Sequence, residues 1–444
     1  MKLRTFFILF FVPLSFSIFA NDVEILSSSK INWETKTFSS TLTLDFNKAN
    51  LKMPADRSVA TDKMMLQLPR LIKDALLSTA VNSTTHLGDL ILQNNLTFDS
   101  IRKIIDAGKN SPSYFSPNKT EILFGHSFDL NLVSALLVQH KHTNRPIQPI
   151  EHVATRDYTG IIIDARGILP IHGVFASSAL EPCLFPQIWD DQMELLYDKN
   201  MVDPAIVKEQ GLVQFCKGDN ASHYAHRVGD DPLKIVARGV YGIYPTDPII
   251  ARNDALKILC SPHNIDLLRQ GKVVILIDDN KVQMPMSAIV KTDDYDRTYD
   301  NVSNYLYESK IKDLIVDDTY KGILLSMQNI QFMPESAVIM PGESDRLDTI
   351  ANALKIATDI GSFNIRVEGH TARYGDISTE QPLSEQRAQT IVNEFISRGI
   401  SVDIFQVRGF GGERPVATND TQEGRSLNRR VEIIIEPKSS TPKQ

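Results

Sequence analysis

Two hydrophobic periods alternate along residues 323–437, and this alternation constrains the fold more than any other feature of the chain. Apolar residues recur at three- and four-residue steps in SDRLDTIANALKIA and in LSEQRAQTIVNEFISRG, which predicts two helices that each bury one face. They alternate with polar residues in FNIRVEGHT, and two further short apolar segments follow in VDIFQVRGFG and RRVEIIIEP. The order strand–helix–strand–helix–strand predicts a two-layer α/β sandwich.

Local signals give this prediction its details. Ser384 stands where a helix N-cap is expected, and Gly399 stands where the same helix should end. In FNIRVEGHT the alternation puts Phe363 on the buried face and Glu368 on the solvent face.

The preceding residues predict two further modules of mixed structure. A helix around MMLQLPRLIKDALL contains Pro69, which should kink or split it, and strands are expected at IIID and at HGVFA. KTEILFGHSFDLNLVSALLVQ is also strand-like in content. We therefore predict an α+β multidomain protein with a signal peptide at 1–20, modules at 21–150 and 151–290, a linker at 291–322, the sandwich at 323–437 and a tail at 438–444.

The first twenty residues have the pattern of a secretory signal peptide. Lys2 and Arg4 precede the apolar stretch FFILFFVPLSFSIFA, and cleavage is expected after Ala20. A membrane anchor is the competing interpretation, but this stretch is shorter than the roughly 20 residues that span a bilayer. We expect an exported protein of the periplasm, associated with the outer membrane or cell wall.

Composition and motifs exclude several function classes. A net charge of −7 argues against nucleic acid as a partner, because phosphate binding needs concentrated Lys and Arg. Cys183, Cys216 and Cys260 leave two alternatives open: a Cys183–Cys216 disulfide, or three small buried apolar side chains. Cys216 lies at metal-ligand spacing from His223 and His226, but no convincing fourth ligand follows. No serine-hydrolase elbow, P-loop or zinc-protease motif occurs, so we predict no enzyme, no cofactor and no metal.

Five sequence blocks occur in order along the C-terminal segment. They are IQFMPESAVI, IRVEGHT, LSEQRAQTI, GFGGERPVATNDT and GRSLNRRVEIII. Together they resemble the OmpA-like domain of cell-envelope proteins, which binds peptidoglycan non-covalently. The resemblance covers about a quarter of the chain. A weaker resemblance, carried by YTG, DARG and GDDPL within 158–233, is to a family of exported envelope proteins.

The OmpA-like resemblance implies a ligand and its contacts. The family binds the diamino acid of the peptidoglycan stem peptide, which carries an ammonium and a carboxylate. Arg387 matches the family residue that holds the carboxylate, and a guanidinium can bind it with two hydrogen bonds. Arg387 is also expected in the first turn after Ser384, where helix N–H groups and the dipole favour an anion. Ala372 replaces the family's aspartate after GHT, and losing one charge-assisted hydrogen bond costs about 1.5–3 kcal/mol. Asp376, in the same loop, is either a substitute carboxylate or a solvated turn residue.

Three more positions follow from the same resemblance. Asn428 and Arg429 border the ligand groove in the family, so they are secondary candidates for peptidoglycan contact. Thr371, in the recognition loop, is a further candidate for peptidoglycan contact. The alternative is that Thr371 and His370 hold the loop through side-chain hydrogen bonds.

Two functions fit this pattern. In the first, the OmpA-like domain tethers the N-terminal modules to the cell wall, and those modules meet envelope protein partners. In the second, Ala372 marks a degenerate site that no longer binds peptidoglycan, and the domain is a protein–protein scaffold in the periplasm. A third class, a hydrolase or metalloprotein within 151–290, would require polar side chains to converge around Cys216 and His223.

Overall fold

The computed structural model describes residues 25–438 except 53, 94, 174, 219–220, 287–288, 290 and 374–376. The predicted signal peptide and all but the first residue of the predicted tail lie outside the described residues. No described helix combines the length and the apolar character needed to cross a membrane.

The first region, residues 25–137, combines long antiparallel strands with helices. Its strands are β1 (Ile25–Asn32), β2 (Thr37–Asp45), β3 (Lys109–Asn110), β4 (Tyr114–Phe115) and β5 (Glu121–Asp129). Its helices are α1 (Arg57–Leu77), α2 (Leu87–Leu92), α3 (Phe98–Asp106) and α4 (Asn131–Leu137).

The helix α1 is continuous through Pro69, so of the two expected effects of this proline, a kink or a split, the split does not occur. Pro69 has no N–H to donate to the carbonyl of Met65, four residues earlier. Another expectation for this region is wrong. The segment expected to be strand-like throughout turns into α4 after Asp129, where Val133 and Ser134 form the buried side of a short helix.

The second region, residues 161–286, contains short strands with helices between them. Its strands are β6 (Ile161–Asp164), β7 (Leu169–Pro170), β8 (Ser177–Ser178), β9 (Ile188–Asp190), β10 (Leu195–Tyr197), β11 (Gln214–Lys217), β12 (Leu233–Val236), β13 (Gly239–Tyr241), β14 (Asp247–Ile250), β15 (Val273–Ile277) and β16 (Gln283–Met286). Its α-helices are α5 (Pro204–Gln210), α6 (Ala225–Val228), α7 (Arg252–Leu259), α8 (Pro262–Arg269) and α9 (Asp279–Val282). The strand expected at HGVFA is wrong for its described residues, which connect β7 to β8; Val174 lies outside the described residues.

The two regions share one sheet and one hydrophobic core. Six strands form the first sheet, in the order β16–β1–β2–β5–β3 with β4 also on β5, so the last strand of the second region pairs with the first strand of the chain. The second region adds a parallel sheet, β11–β15–β6–β12, and a mixed one, β10–β9–β14–β13. One cluster of buried side chains extends through both regions. The boundary at residue 150 stays a prediction.

The third region is a five-stranded sheet covered by helices. Its elements are α10 (Asp293–Glu308), β17 (Leu314–Asp318), β18 (Ile323–Gln328), α11 (Ser344–Ile360), β19 (Phe363–Gly369), α12 (Ile377–Ser397), β20 (Phe405–Gly409), α13 (Gln422–Asn428) and β21 (Arg430–Pro437). The strand order is β17–β18–β21–β19–β20. Leu347, Ile350 and Leu354 of α11 are buried together with Ile391 and Phe395 of α12 against this sheet. The prediction of an α+β multidomain chain ending in a two-layer sandwich is confirmed.

The segment predicted as a linker, 291–322, is built into this third region. The strand β17 forms the edge of the five-stranded sheet, and α10 buries Tyr295, Val302 and Leu306 in the same core.

The cysteines form no disulfide. All three thiols are free, with Cys183 and Cys216 buried and Cys260 partly exposed. The disulfide alternative is therefore wrong, and Cys183 and Cys216 are the small buried side chains of the other alternative.

Candidate functional site

Arg387 lies in α12 and is held by the segment that follows β18. Its Nε donates a hydrogen bond to the carbonyl of Ser336 over 3.0 Å. Its guanidinium carbon lies 4.9 Å from the centre of the Phe332 ring. These two contacts fix the side chain in a partly buried position and use only one of its N–H groups.

A second arginine lies near Arg387. Arg429, the residue before β21, donates a hydrogen bond from Nη2 to the Ser426 hydroxyl over 2.9 Å. Burial, and then the positive charge of Arg429, lower the pKa of Arg387. Neither guanidinium forms an ion pair with a described carboxylate. Two cations whose charges interact, and which the described part of the chain supplies with no acidic counter-charge, favour the binding of an anion.

The helix α12 begins earlier than the sequence predicts. It starts at Ile377, so Ser384 is not its N-cap and Arg387 is not in its first turn. The Ser384 hydroxyl instead accepts a hydrogen bond from the Gly411 N–H at 2.9 Å and donates one to the Gln381 carbonyl at 2.7 Å. The N-terminus of α12 is therefore too far along the helix to favour an anion at Arg387, because the dipole effect is confined to the first turn.

The recognition loop is held through its backbone. His370 N–H donates to the Arg430 carbonyl (3.0 Å) and Thr371 N–H to the Gly411 carbonyl (2.8 Å). The ring nitrogens of His370 and the hydroxyl of Thr371 have no hydrogen-bond partner among the described residues. The expectation that these side chains hold the loop by hydrogen bonds is therefore wrong.

Ala372 is buried, with 7% of its surface exposed. Its methyl group can accept no hydrogen bond, so it offers nothing to an ammonium group. The candidate substitute, Asp376, lies outside the described residues.

Asn428 supports the site through its hydrogen bonds. The side chain is 1% exposed, and its Oδ1 accepts bonds from the N–H groups of Val416 (2.8 Å) and Ala417 (3.0 Å). Its Nδ2 donates to the carbonyl of Ala417 and to Asn419 Oδ1. Asn419 Oδ1 also accepts the N–H of Arg373 (3.1 Å). Asn428 therefore joins the loop 416–419 to the recognition loop, and its amide is occupied by these bonds.

Sequence reasoning missed a buried charged cluster at the end of β19. Glu368, predicted to face solvent, is 2% exposed and lies beside Arg366, with Nε and Oε1 3.2 Å apart. Glu432 accepts a hydrogen bond from Arg430 over 2.7 Å, and its other oxygen lies 3.7 Å from His370 Nε2. Burial, and then Arg430, lower the pKa of His370 well below its usual value, so the imidazole is neutral.

The same cluster contains the one group of metal-type side chains found among the described residues. Ligand atoms of Glu368, His370 and Glu432 lie within 4.8 Å of one another. Arginines already pair with both carboxylates, so the group lacks the excess negative charge that a divalent cation needs. Around Cys216, the described residues form no comparable group: the Cys216 thiol is fully buried, and His223 Nδ1 lies 3.1 Å from Glu34 Oε1.

Comparison with known proteins identifies the family to which this chain is related. The OmpA family model matches residues 331–429. YfiB, an outer-membrane lipoprotein of Pseudomonas aeruginosa, is 40% identical over 123 residues, which cover 26% of this chain and 71% of YfiB. The chain belongs to the OmpA family. Its OmpA-family domain carries the Arg387 site described above.

Other matches cover the remaining regions and more distant relatives. The models described as the N-terminal and second domains of Treponema pallidum Tp0624 match residues 24–136 and 160–279. The peptidoglycan-binding protein ArfA of Mycobacterium tuberculosis is 34% identical over 106 residues, 24% of this chain and 32% of ArfA. The chain thus spans only about a third of ArfA. A solved outer-membrane protein structure from Borrelia burgdorferi is 33% identical, with a TM-score of 0.23, and covers 28% of this chain and 96% of that one.

Proposed function

We propose that this protein is a non-catalytic protein of the periplasm whose OmpA-family domain binds the stem peptide of peptidoglycan non-covalently. The carrying observation is that neither the Arg387 nor the Arg429 guanidinium pairs with a described carboxylate, while the positive charge of Arg429 lowers the pKa of Arg387. The OmpA family membership and the printed name of ArfA support this ligand. The domain would tether the preceding regions, 21–150 and 151–290 in our division, to the cell wall.

In this proposal the ligand carboxylate binds Arg387 and Arg429. Ser336 and Phe332 hold Arg387 from one side, so its remaining N–H groups are available to a carboxylate. Asn428 orders the loop 416–419 beside Arg429 and acts as a support. Thr371 acts through the backbone of the recognition loop. The ammonium group of the ligand would pair with Asp376 or with no carboxylate of this loop, because Ala372 has no charged side chain.

The test is co-sedimentation of the full chain with purified peptidoglycan sacculi. Arg387→Gln and Arg429→Gln remove one cation each, and Arg408→Gln removes an exposed arginine of the same domain as a matched control. Each charge-assisted bond is worth about 1.5–3 kcal/mol, so each site variant should bind roughly 10- to 150-fold more weakly. If both site variants pellet as well as the wild type and the control, the anion site is not the peptidoglycan site.

A second measurement addresses the ammonium group. Soluble stem peptide with a free side-chain amine is compared with the same peptide after acetylation, using isothermal titration calorimetry. Equal affinities would mean that no carboxylate of the protein replaces the family aspartate. Tighter binding of the free amine, lost in Asp376→Asn, would identify Asp376 as the substitute.

The degenerate scaffold is the second candidate function, and the burial of Ala372 and Thr371, each 7% exposed, favours it. A packed recognition loop gives a polymer little access to the groove. If the wild-type chain stays in the supernatant while Ala372→Asp pellets, the fold is competent and the natural site has lost its ligand. The domain would then serve envelope protein partners of the N-terminal regions.

A further inference from the structure

Buried charges connect the OmpA-family domain to the first region of the chain. Lys321, between β17 and β18, lies 2.9 Å from Asp89 Oδ1 in α2. The same carboxylate oxygen accepts a hydrogen bond from the Tyr320 hydroxyl at 3.0 Å. Lys321 also lies 3.9 Å from Glu368 Oε2, and the four side chains are almost wholly buried. These charges are therefore satisfied only while the two regions stay in contact.

Arg414 extends this contact to the second region. Its Nε donates to the Thr84 carbonyl over 2.7 Å, and its Nη2 donates to the Tyr244 hydroxyl. Its guanidinium carbon lies 3.8 Å from the centre of the Phe410 ring, and Nη1 lies 3.7 Å from Glu368 Oε2. Only 4% of the Arg414 side chain is exposed. We call the following set the junction: Thr84, Asp89, Tyr244, Lys321, Glu368 and Arg414.

The loop that carries Arg414, residues 410–419, forms hydrogen bonds with residues that lie close in sequence to Arg387 and to Arg429. The Arg414 carbonyl accepts a hydrogen bond from Arg430 Nη1 at 3.0 Å, one residue after Arg429. Asn428, one residue before Arg429, binds the N–H groups at 416 and 417. The loop start, Gly411, donates to the Ser384 hydroxyl, one helical turn before Arg387. The loop 410–419 is thus hydrogen-bonded to residues within three positions of Arg387 and of Arg429.

We propose that Arg414 is a positioning residue for the anion site, and that docking of the OmpA-family domain on Thr84, Asp89 and Tyr244 sets its ligand affinity. Two guanidinium groups repel each other, so their spacing toward one carboxylate has to be imposed by the surrounding structure. In this proposal, the junction residues outside the OmpA-family domain, Thr84, Asp89 and Tyr244, impose this spacing through their contacts with the domain. This inference rests on the proposed function, and it makes the N-terminal regions part of the recognition machinery.

The test uses the full chain and stem peptide with two junction variants remote from the arginine pair. Tyr244→Phe removes one hydroxyl acceptor of Arg414, and Asp89→Asn removes the charge facing Lys321. The matched controls are Tyr307→Phe, at a tyrosine that is 86% exposed, and Asp99→Asn, in an exposed ion pair with Lys103. Affinity is measured by calorimetry, and amide hydrogen exchange is followed across 410–419.

The junction variants should bind stem peptide roughly 5- to 150-fold more weakly, the usual range of coupling between sites, and exchange faster in 410–419. The controls should match the wild type. Arg414→Lys should bind more tightly than Arg414→Met, because the lysine keeps a cation beside Glu368. Faster exchange with unchanged affinity would overturn the proposal and leave the junction a purely structural contact. Absence of binding by the wild type would overturn the proposed function and this inference with it, whereas normal wild-type binding with unaffected variants would overturn the inference only.

Discussion

The Asp89–Lys321 pair offers a direct measure of how strongly the regions hold each other. Lys321→Met leaves the Asp89 carboxylate buried without its lysine, beside the Tyr320 hydroxyl, the His86 N–H and, at 3.8 Å, His86 Nδ1. Removing one partner of a buried ion pair costs about 3–5 kcal/mol. The directions of the pKa shifts agree: Lys321 lies well above and Asp89 well below its usual pKa, although burial opposes both shifts. Each charge is therefore stabilised chiefly by its partner.

The assay is a double-mutant cycle in urea at pH 7.5, followed by circular dichroism. Lys321→Met and Asp89→Asn should each lower the free energy of unfolding by about 3–5 kcal/mol. The double variant should lose about 1–3 kcal/mol less than the sum, because contacting residues couple. The exposed Asp99–Lys103 pair, run as a control, should couple by about 0.5 kcal/mol or less. Additive losses at Asp89 and Lys321 would refute the reasoning, since they would mean that the two charges do not stabilise each other.

Three further predictions concern single residues. The pKa of His370 is lowered in the folded chain, whereas in the unfolded chain this imidazole binds a proton near its usual pKa, so the free energy of unfolding should fall as pH drops below about 6.5. Urea titrations at several pH values should show a smaller fall for His370→Phe. Burial raises the pKa of Asp247 to about 6, so its contribution to the free energy of unfolding should fall by about 3 kcal/mol as pH rises from about 4 to 6, at about 1.4 kcal/mol per pKa unit. The same titrations on Asp247→Asn should lack this loss. A Cβ on Gly88 would lie 2.2 Å from the Tyr320 ring, so Gly88→Ala should displace that ring from Asp89 and lower the free energy of unfolding by about 1–3 kcal/mol in urea.

The sandwich could be predicted from sequence because its two hydrophobic periods are set by its own core. Phe363, Ile391 and Phe395 are buried against neighbours within the same region, so one face of each element has a local reason to be apolar. The predicted linker had no such signal. Its helix α10 is rich in Asp and Tyr, and only Tyr295, Val302 and Leu306 show which face packs on the sheet.

The outer face of β19 shows where periodicity stops being informative. Alternation puts Glu368 on the other face of the strand from Phe363 and Val367, and a charged residue on the face away from the apolar side chains is normally solvated. The structure covers this face with Lys321 and Arg414, the latter anchored on Thr84 and Tyr244. A buried ionic contact between distant segments has no local pattern, because each of its charges resembles an ordinary surface residue in the sequence.

The candidate site was predictable in part, for a similar reason. Arg387 was identified by resemblance, and its carboxylate-binding role stays a prediction, but the helix N-cap at Ser384 was wrong. A serine before a helical pattern signals a cap only when its hydroxyl is free to bond its own helix. Here Gly411 uses that hydroxyl, and helical structure begins at Ile377. The contribution of Arg429 depends on its distance from Arg387, which only the folded chain defines.

The cost of burying a charge bears on both Ala372 and the junction. A carboxylate at position 372 would be nearly buried, so without a ligand ammonium it would need a cation of the protein to offset its desolvation. Arg414, the buried cation of the loop 410–419, is already engaged by Thr84, Tyr244 and Glu368. These contacts leave Arg414 little capacity to offset a second carboxylate. A small neutral side chain avoids this cost, and under the proposed function ligand binding falls to Arg387 and Arg429.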